Sequence, residues 1–192
     1  MDRRDFFRRG LGKATEVAVK AADKRVSERA KNWIRPPYAI PELDFLLACT
    51  RCNACIEACP HDVIFPLAAR LGADVVKSPA LDLLTRGCHL CEDWPCVSVC
   101  EPKALIRHVD DTSESGYVAL KKFANATIDE SRCLPFSGPE CGACISVCPI
   151  EGALHLEQEK PVITAELCVG CALCRDACIV EDKAINVSSY LD

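Results

Sequence analysis

The sequence has few aromatic residues and no long uninterrupted run of apolar ones. Aromatic side chains make up 6% of its 192 residues. No apolar run reaches the roughly 18 residues that a membrane-spanning helix needs, so we expect no transmembrane segment. No glycine-rich phosphate loop follows a predicted strand, which leaves flavin and nicotinamide binding without support. No Ser/His/Asp set of the hydrolase type is visible either.

Cysteine, in contrast, is abundant. Sixteen cysteines fall in bursts two and three residues apart, and neighbours that close do not easily bridge each other as disulfides. Zinc sites typically use two Cys-x2-Cys pairs separated by a longer stretch. A continuous Cys-x2-Cys-x2-Cys-x3-Cys run is instead the bacterial ferredoxin pattern, in which three cysteines bind one cluster and the fourth binds another. Four such runs predict four [4Fe–4S] clusters as the cofactors.

The four runs, here called motifs I to IV, differ in spacing. Motifs I and IV are regular, motif II has two extra residues before its third cysteine, and motif III has seven residues between its first two. The predicted ligands in chain order are Cys49, Cys52, Cys55 and Cys59 (motif I); Cys88, Cys91, Cys96 and Cys100 (motif II); Cys133, Cys141, Cys144 and Cys148 (motif III); and Cys168, Cys171, Cys174 and Cys178 (motif IV).

The motifs must work in pairs, because the fourth cysteine of each run binds a neighbouring cluster. Pairing regular with regular and expanded with expanded nests motifs II and III inside motifs I and IV. Sequential pairing, motif I with II and motif III with IV, stays open. The nested arrangement predicts these ligand sets: Cys49, Cys52, Cys55 and Cys178; Cys88, Cys91, Cys96 and Cys148; Cys133, Cys141, Cys144 and Cys100; and Cys168, Cys171, Cys174 and Cys59.

An internal repeat surrounds the motifs, because each run lies between two short β-like segments. We expect strands before the runs at residues 43–47, 81–84, 126–129 and 162–164, and after them at 63–65, 104–106, 153–156 and 184–187. The predicted fold class is α+β, with two tandem bacterial-ferredoxin-like domains of two clusters each behind a long N-terminal helix. Nested pairing makes residues 39–80 with 160–192 the outer domain and residues 81–159 the inner one.

The N-terminal arm, residues 1–38, is basic, whereas the body is acidic. Residues 1–37 carry a net charge of +6 and the remainder −11, so we expect no nucleic acid as a partner of the body. The spacing of apolar residues predicts an amphipathic helix over 4–32, ended by Arg35-Pro36-Pro37. This helix packs on its own domain, docks on a partner protein or lies on a membrane surface; we expect the arm to be a docking element.

The first residues resemble an export signal. Asp2-Arg3-Arg4-Asp5-Phe6-Phe7-Arg8 is similar to the twin-arginine signature. Residues 10–31 carry nine charged side chains, which leaves no apolar region of the kind that an export signal needs. We therefore expect a cytoplasmic location, with periplasmic export through a degenerate twin-arginine signal as the alternative.

Several segments also carry a family resemblance: Ile34–Pro37 leading to Cys49–Cys52, then Cys88–Cys96, the gapped Cys133–Cys141 and finally Cys178–Ile185. In these the chain resembles the polyferredoxins of the MauM/NapG group, which are related to NapF-type ferredoxins and to electron-transfer subunits of molybdopterin oxidoreductases. The resemblance implies an accessory electron carrier whose partners include a reductase or a quinol-oxidising membrane complex. Nested pairing in the molybdopterin relatives agrees with the nested arrangement above.

The expected function is the transfer of single electrons through the four clusters between a donor and an acceptor protein. The alternative is an accessory maturation or assembly ferredoxin for a redox enzyme, with labile clusters. A catalytic subunit would be expected to leave one iron without a cysteine ligand. Because all sixteen cysteines are present, we expect an electron-transfer protein or a subunit of an oxidoreductase complex rather than an enzyme.

Overall fold

The first described element is the helix that ends the N-terminal arm. The computed structural model describes residues 19–113 and 115–190, and residues 19–30 form helix α1. The predicted beginning of this helix at residue 4 and the twin-arginine-like segment lie outside the described residues. Helix α1 ends two residues before the predicted end at residue 32. None of the helices in the described part of the chain is long and apolar enough to cross a membrane.

The rest of the chain consists of short helices and short strands joined by turns. The helices are α2 (Glu42–Ala48), α3 (Ala54–Glu57), α4 (Pro95–Ser98), α5 (Leu134–Ser137) and α6 (Leu173–Asp176), with a 3₁₀ helix at Ala69–Leu71. The strands are β1 (Ile64–Pro66), β2 (Pro79–Leu81), β3 (Ala124–Ile128), β4 (Leu154–Glu157), β5 (Lys160–Ile163) and β6 (Ile185–Ser189). This mixture of helices and strands confirms the predicted α+β class.

The strands form three separate antiparallel pairs. Strand β1 pairs with β2, β3 with β6 and β4 with β5. The registers place Ile64 opposite Leu81, Ala126 opposite Val187 and Leu154 opposite Ile163. Strands predicted at residues 63–65, 126–129, 153–156, 162–164 and 184–187 are confirmed to within a few residues. The strand predicted at 81–84 lies earlier, because β2 already ends at Leu81.

Two predicted strands are wrong. Residues 43–47 lie inside helix α2, which Pro41 precedes and which carries Glu42 and Asp44 in its first turn, where carboxylates are favourable beside the helix N-terminus. Phe45 of this helix is completely buried. The segment 104–106 contributes only an isolated bridge, between Leu105 and Ala39.

The strand pairs also contradict the predicted nested division of the chain. Strand β3 belongs to the predicted inner segment 81–159, yet it pairs with β6 of the predicted outer segment 160–192. Strand β4 of the inner segment pairs with β5 of the outer one. Motifs III and IV therefore share one half of the molecule, and motifs I and II with the β1–β2 pair make up the other half. Short connections favour this arrangement, because consecutive elements usually lie side by side.

The two halves meet in one apolar cluster. It joins Val63, Leu81 and Cys88 of the first half to Ala124 and Ala172 of the second. The backbones approach so closely that a Cβ atom on Gly87 would lie 2.8 Å from the Leu173 Cα. A side chain at Gly87 would therefore force the halves apart.

The end of the arm packs on the body of its own chain. Ala30 and Trp33 are buried in an apolar cluster with Leu67, Val75 and Ala80. Residues 19–25 of the same helix are exposed. The base of the arm is thus part of the core, whereas residues 19–25 lie at the surface.

Candidate iron–sulfur centres

The cysteines line four cavities of nearly equal size. We name these cavities sites A, B, C and D. Their cysteines are Cys49, Cys52, Cys55 and Cys100 (site A); Cys88, Cys91, Cys96 and Cys59 (site B); Cys168, Cys171, Cys174 and Cys148 (site C); and Cys133, Cys141, Cys144 and Cys178 (site D). Each site takes three cysteines from one motif and the fourth from another.

This grouping corrects the nested pairing. Cys178 lines site D beside the motif III cysteines rather than joining Cys49, and Cys100 lines site A rather than joining Cys133. Cys148 likewise lines site C beside the motif IV cysteines, and Cys59 lines site B beside the motif II cysteines. In each cavity the fourth cysteine comes from the motif next in sequence, so that motif I exchanges with II and motif III with IV.

Short helices bring about the exchange. Cys55 lies in α3 and lines site A, whereas Cys59, one turn further on, lines site B. Helix α4 does the reverse, with Cys96 at site B and Cys100 at site A. Because α3 packs against α4, the two helices hold sites A and B side by side.

The second half repeats this construction. In α6, Cys174 lines site C, and Cys178 after the helix lines site D. The turn after Gly142 supplies Cys144 to site D and Cys148 to site C. In both halves, therefore, the third and fourth cysteines of a motif line two adjacent sites, as the sequence repeat suggests.

Shared helices and one backbone hydrogen bond connect the four sites in series, which we call a row. Site B meets site C where the Cys88 backbone N–H donates to the Cys171 carbonyl oxygen at 2.7 Å. Sites A and B share helices α3 and α4, and sites C and D share α6, as described above. The order is A, B, C, D, with sites A and D at the ends.

Tight turns wrap the backbone around the cavities. The residue before the second cysteine has positive φ in three motifs, at Arg51 (58°), Leu90 (50°) and Gly170 (85°). No residue with a side chain fits at Gly170, because a Cβ atom there would lie 2.2 Å from the Ala124 carbonyl oxygen. Such turns point backbone N–H groups into a concavity, which suits an anionic group.

The thiols also respond to their burial. Burial first, and neighbouring cysteines second, raise the pKa of Cys55 and Cys144 to about 11. For Cys96 and Cys174 the same causes raise the pKa to about 12. Without a bound cation these thiols are neutral at pH 7, and a metal centre must displace their protons. Falling pH therefore opposes occupation of the sites.

The geometry suits a cluster better than a single ion. The four thiols of a site surround a cavity, and within the described ranges no group of three or more His, Cys, Asp or Glu side chains is placed to hold one metal ion. A [4Fe–4S] cluster takes one cysteine at each of its four irons. At site A, moreover, the Leu105 backbone N–H already donates to the Cys100 sulfur at 3.3 Å, the kind of bond that tunes a cluster.

Sequence reasoning missed two groups at these sites. His61 and His89, far apart in sequence, stack at 3.6 Å between ring centroids beside site B. Arg51 lines site A, and its Nε is buried with no hydrogen-bond partner in the described part of the chain. The positions of these residues, one or two from a cysteine, were the only available signal.

Two sequence families match the chain at its cysteine motifs. A 4Fe–4S binding domain matches residues 47–65, around motif I. A second 4Fe–4S binding domain matches residues 130–153 and 165–179, around motifs III and IV. The chain therefore binds 4Fe–4S clusters.

Three relatives of this chain match it over most of its length. The ferredoxin-type protein NapG of Escherichia coli K12 is 34% identical over 205 residues, covering 96% of this chain and 84% of NapG. The methylamine utilization ferredoxin-type protein MauM of Methylophilus methylotrophus is 33% identical, covering 97% of this chain and 86% of MauM. The ferredoxin-type protein NapF of E. coli K12 is 28% identical over 162 residues. With these relatives and its cysteine-lined cavities, the chain belongs to the NapG/MauM family of ferredoxin-type proteins and is an iron–sulfur electron-transfer protein.

Proposed function

We propose that this protein relays single electrons through four [4Fe–4S] clusters between a donor and an acceptor protein. The observation that carries the proposal is the row of four similar cavities, each lined by four cysteines. Such clusters, when bound, supply reversible one-electron transfer. The protein contributes their spacing, their shielding and their electrostatic surroundings.

The proposed ligand sets are those that line sites A to D. We further propose that the two halves are two ferredoxin-like domains, one holding sites A and B and the other holding sites C and D. Support comes from the exchange of fourth cysteines, which stays within each half. The contact between Cys88 and Cys171 then connects the two halves at the middle of the row.

Burial supports a relay through the interior. The four buried cysteines all belong to sites B and C, in the middle of the row: Cys59, Cys88, Cys171 and Cys174. At the first end Cys52 is exposed, and at the other end Ile179 beside Cys178 keeps 68% of its surface exposed. We therefore expect electrons to enter and leave at sites A and D, which a donor and an acceptor would contact separately.

The arm and the location belong to the same proposal. We place the protein in the cytoplasm, because residues 10–31 are too rich in charge for an export signal, and we assign partner docking to the exposed part of the arm. A fusion of residues 1–38 to a reporter protein should remain in the cytoplasm. Recovery of the reporter in the periplasm would contradict the placement.

The relay is tested by kinetics on the anaerobically purified protein. Stopped-flow mixing with a reductant and then an oxidant should reduce and reoxidise the clusters repeatedly without loss of iron. An assembly ferredoxin would instead lose its iron to a mild chelator or pass it to an apoprotein. Iron transfer faster than electron transfer would replace the relay by the assembly function.

A further inference from the structure

Site A differs from sites B, C and D in having a permanently charged side chain in its lining. Among the described residues that line the cavities, Arg51 at site A is the single lysine, arginine or carboxylate side chain. At the same place in the turn, before the second cysteine, motif II has Leu90 and motif IV has Gly170. The same turn therefore forms in motifs II and IV without a charged residue at this position, so the turn itself does not require the charge of Arg51.

The surroundings of Arg51 leave this charge available to the site. Its Nη2 donates to the Asp74 carbonyl oxygen at 2.7 Å, while the Asp74 carboxylate is held by Arg29. The bond to Asp74 fixes the guanidinium, and the buried Nε has no partner in the described part of the chain. A buried N–H group without a partner is costly, and a cluster sulfur in site A would satisfy it.

A positive charge beside one site changes the equilibrium along the row. Reduction adds one electron to a site and no proton, so a nearby cation stabilises the reduced form and raises the reduction potential. Because the site is partly shielded from water, salt screens this effect less than at the surface. At the opposite end, the Lys183 Nζ donates to the Cys178 carbonyl oxygen at 2.5 Å, but Lys183 does not line the cavity of site D. There Glu140 precedes the second cysteine of motif III. Its charge acts in the opposite direction and, being exposed, acts more weakly.

We propose that Arg51 sets the direction of the relay by giving site A the highest reduction potential, so that electrons enter at site D and leave at site A. This inference rests on the proposed function, because it requires a cluster at each site. It assigns the acceptor protein to the end near Cys52 and the donor to the end near Ile179.

The test is a redox titration of the cluster-loaded protein, followed by electron paramagnetic resonance. Arg51→Gln should lower the potential of one cluster by an amount equal to about a tenfold change in its electron equilibrium, 59 mV for a one-electron couple. The affected signal should be the one that Cys52→Ser perturbs. Arg51→Lys keeps the charge and should retain most of the potential, and Arg70→Gln on the exposed 3₁₀ helix should change nothing.

A second readout follows the first electron. With less than one reducing equivalent per molecule, the electron should reside at site A in the unmodified protein and spread to other sites in Arg51→Gln. Titrations above pH 8 keep His89 neutral, because burial first and His61 second lower its pKa below the ordinary histidine value of about 6.5.

The failures of the two proposals are distinguishable. If the unmodified protein lacks iron and sulfide, the relay itself fails. If iron and sulfide are complete but Arg51→Gln leaves the potentials unchanged, raises that of site A or shifts all four together, the assignment of direction is overturned and the relay stands.

Discussion

At the scale of single residues, the identity of the fourth ligand at each site decides how the motifs are connected. The cavities assign Cys100 to site A and Cys178 to site D. Spacing alone does not encode this choice, because regular and expanded motifs alike give three cysteines to one site and the fourth, four residues after the third, to a neighbouring site. Sequential pairing joins motifs that are close in sequence, which lowers the entropy cost of closing the loop between them.

Serine substitutions test this connection. Cys100→Ser should perturb the same cluster signal as Cys49→Ser, because both cysteines line site A. Cys178→Ser should perturb the signal that Cys133→Ser perturbs. Electron paramagnetic resonance of the reduced variants distinguishes the signals. A match between Cys178→Ser and Cys49→Ser would restore the nested arrangement.

A buried ion pair is the second test at this scale. The Arg35 Nη2 lies 2.6 Å from the Glu42 Oε1, and the two side chains are 9% and 4% exposed. Arg35 also donates to the Ser78 hydroxyl and the Pro79 carbonyl oxygen. These bonds fasten the segment after α1 to helix α2 and strand β2.

Removing one partner leaves a buried charge unpaired, which typically costs about 3–5 kcal/mol. For a chain of this length Glu42→Gln should therefore lower the unfolding temperature by about 6 to 20 °C. Anaerobic thermal unfolding measures the change. The double variant Arg35→Met/Glu42→Leu, which removes both charges, should lie closer to the unmodified protein, and an equally large loss in it would contradict the explanation.

At the scale of secondary-structure elements, the arm divides into two parts. Residues 19–25 are exposed, whereas Ala30 and Trp33 are buried among Leu67, Val75 and Ala80. The spacing of apolar residues predicted a helix but did not separate its buried end from its exposed part. An alanine-rich stripe has the same period whether or not the rest of the protein packs against it.

Two truncations separate these parts. Deletion of residues 1–25 should leave the iron content intact and abolish binding to the partner protein in pull-down experiments. Deletion of residues 1–33 should also destabilise the body, because it removes Ala30 and Trp33 from their apolar cluster. Trp33→Ala serves as a control and should cost about 3–5 kcal/mol. Retained partner binding after the shorter deletion would remove the docking role from the exposed part.

The elements that were predicted best are the strands of the second half. Residues 126–129, 153–156, 162–164 and 184–187 are β-branched or apolar at alternate positions and pair as strands β3 to β6. Residues 43–47 form a helix instead of the predicted strand, because Pro41 and two early carboxylates favour a helix N-terminus there. The local residues, rather than the position of the segment in the repeat, therefore determine its structure.

At the scale of the whole molecule, the cysteine runs predicted the cofactor and the sixteen candidate ligands, but not the order of the sites. That order depends on the contact between Cys88 and Cys171, two residues whose proximity no local pattern records. Likewise, the proposed effect of the Arg51 charge on the direction of electron flow depends on the position of site A at one end of the row. Ligand type is therefore a local property of this chain, whereas the path of the electron is a property of its fold.

The most direct test of the central claim is the iron and acid-labile sulfide content of the anaerobically purified protein. Four sites with one [4Fe–4S] cluster each predict about sixteen iron atoms and about sixteen sulfides per chain. The cavities at sites A to D supply four cysteines for each cluster. Zinc in place of iron, or about half this iron without acid-labile sulfide, would contradict the account.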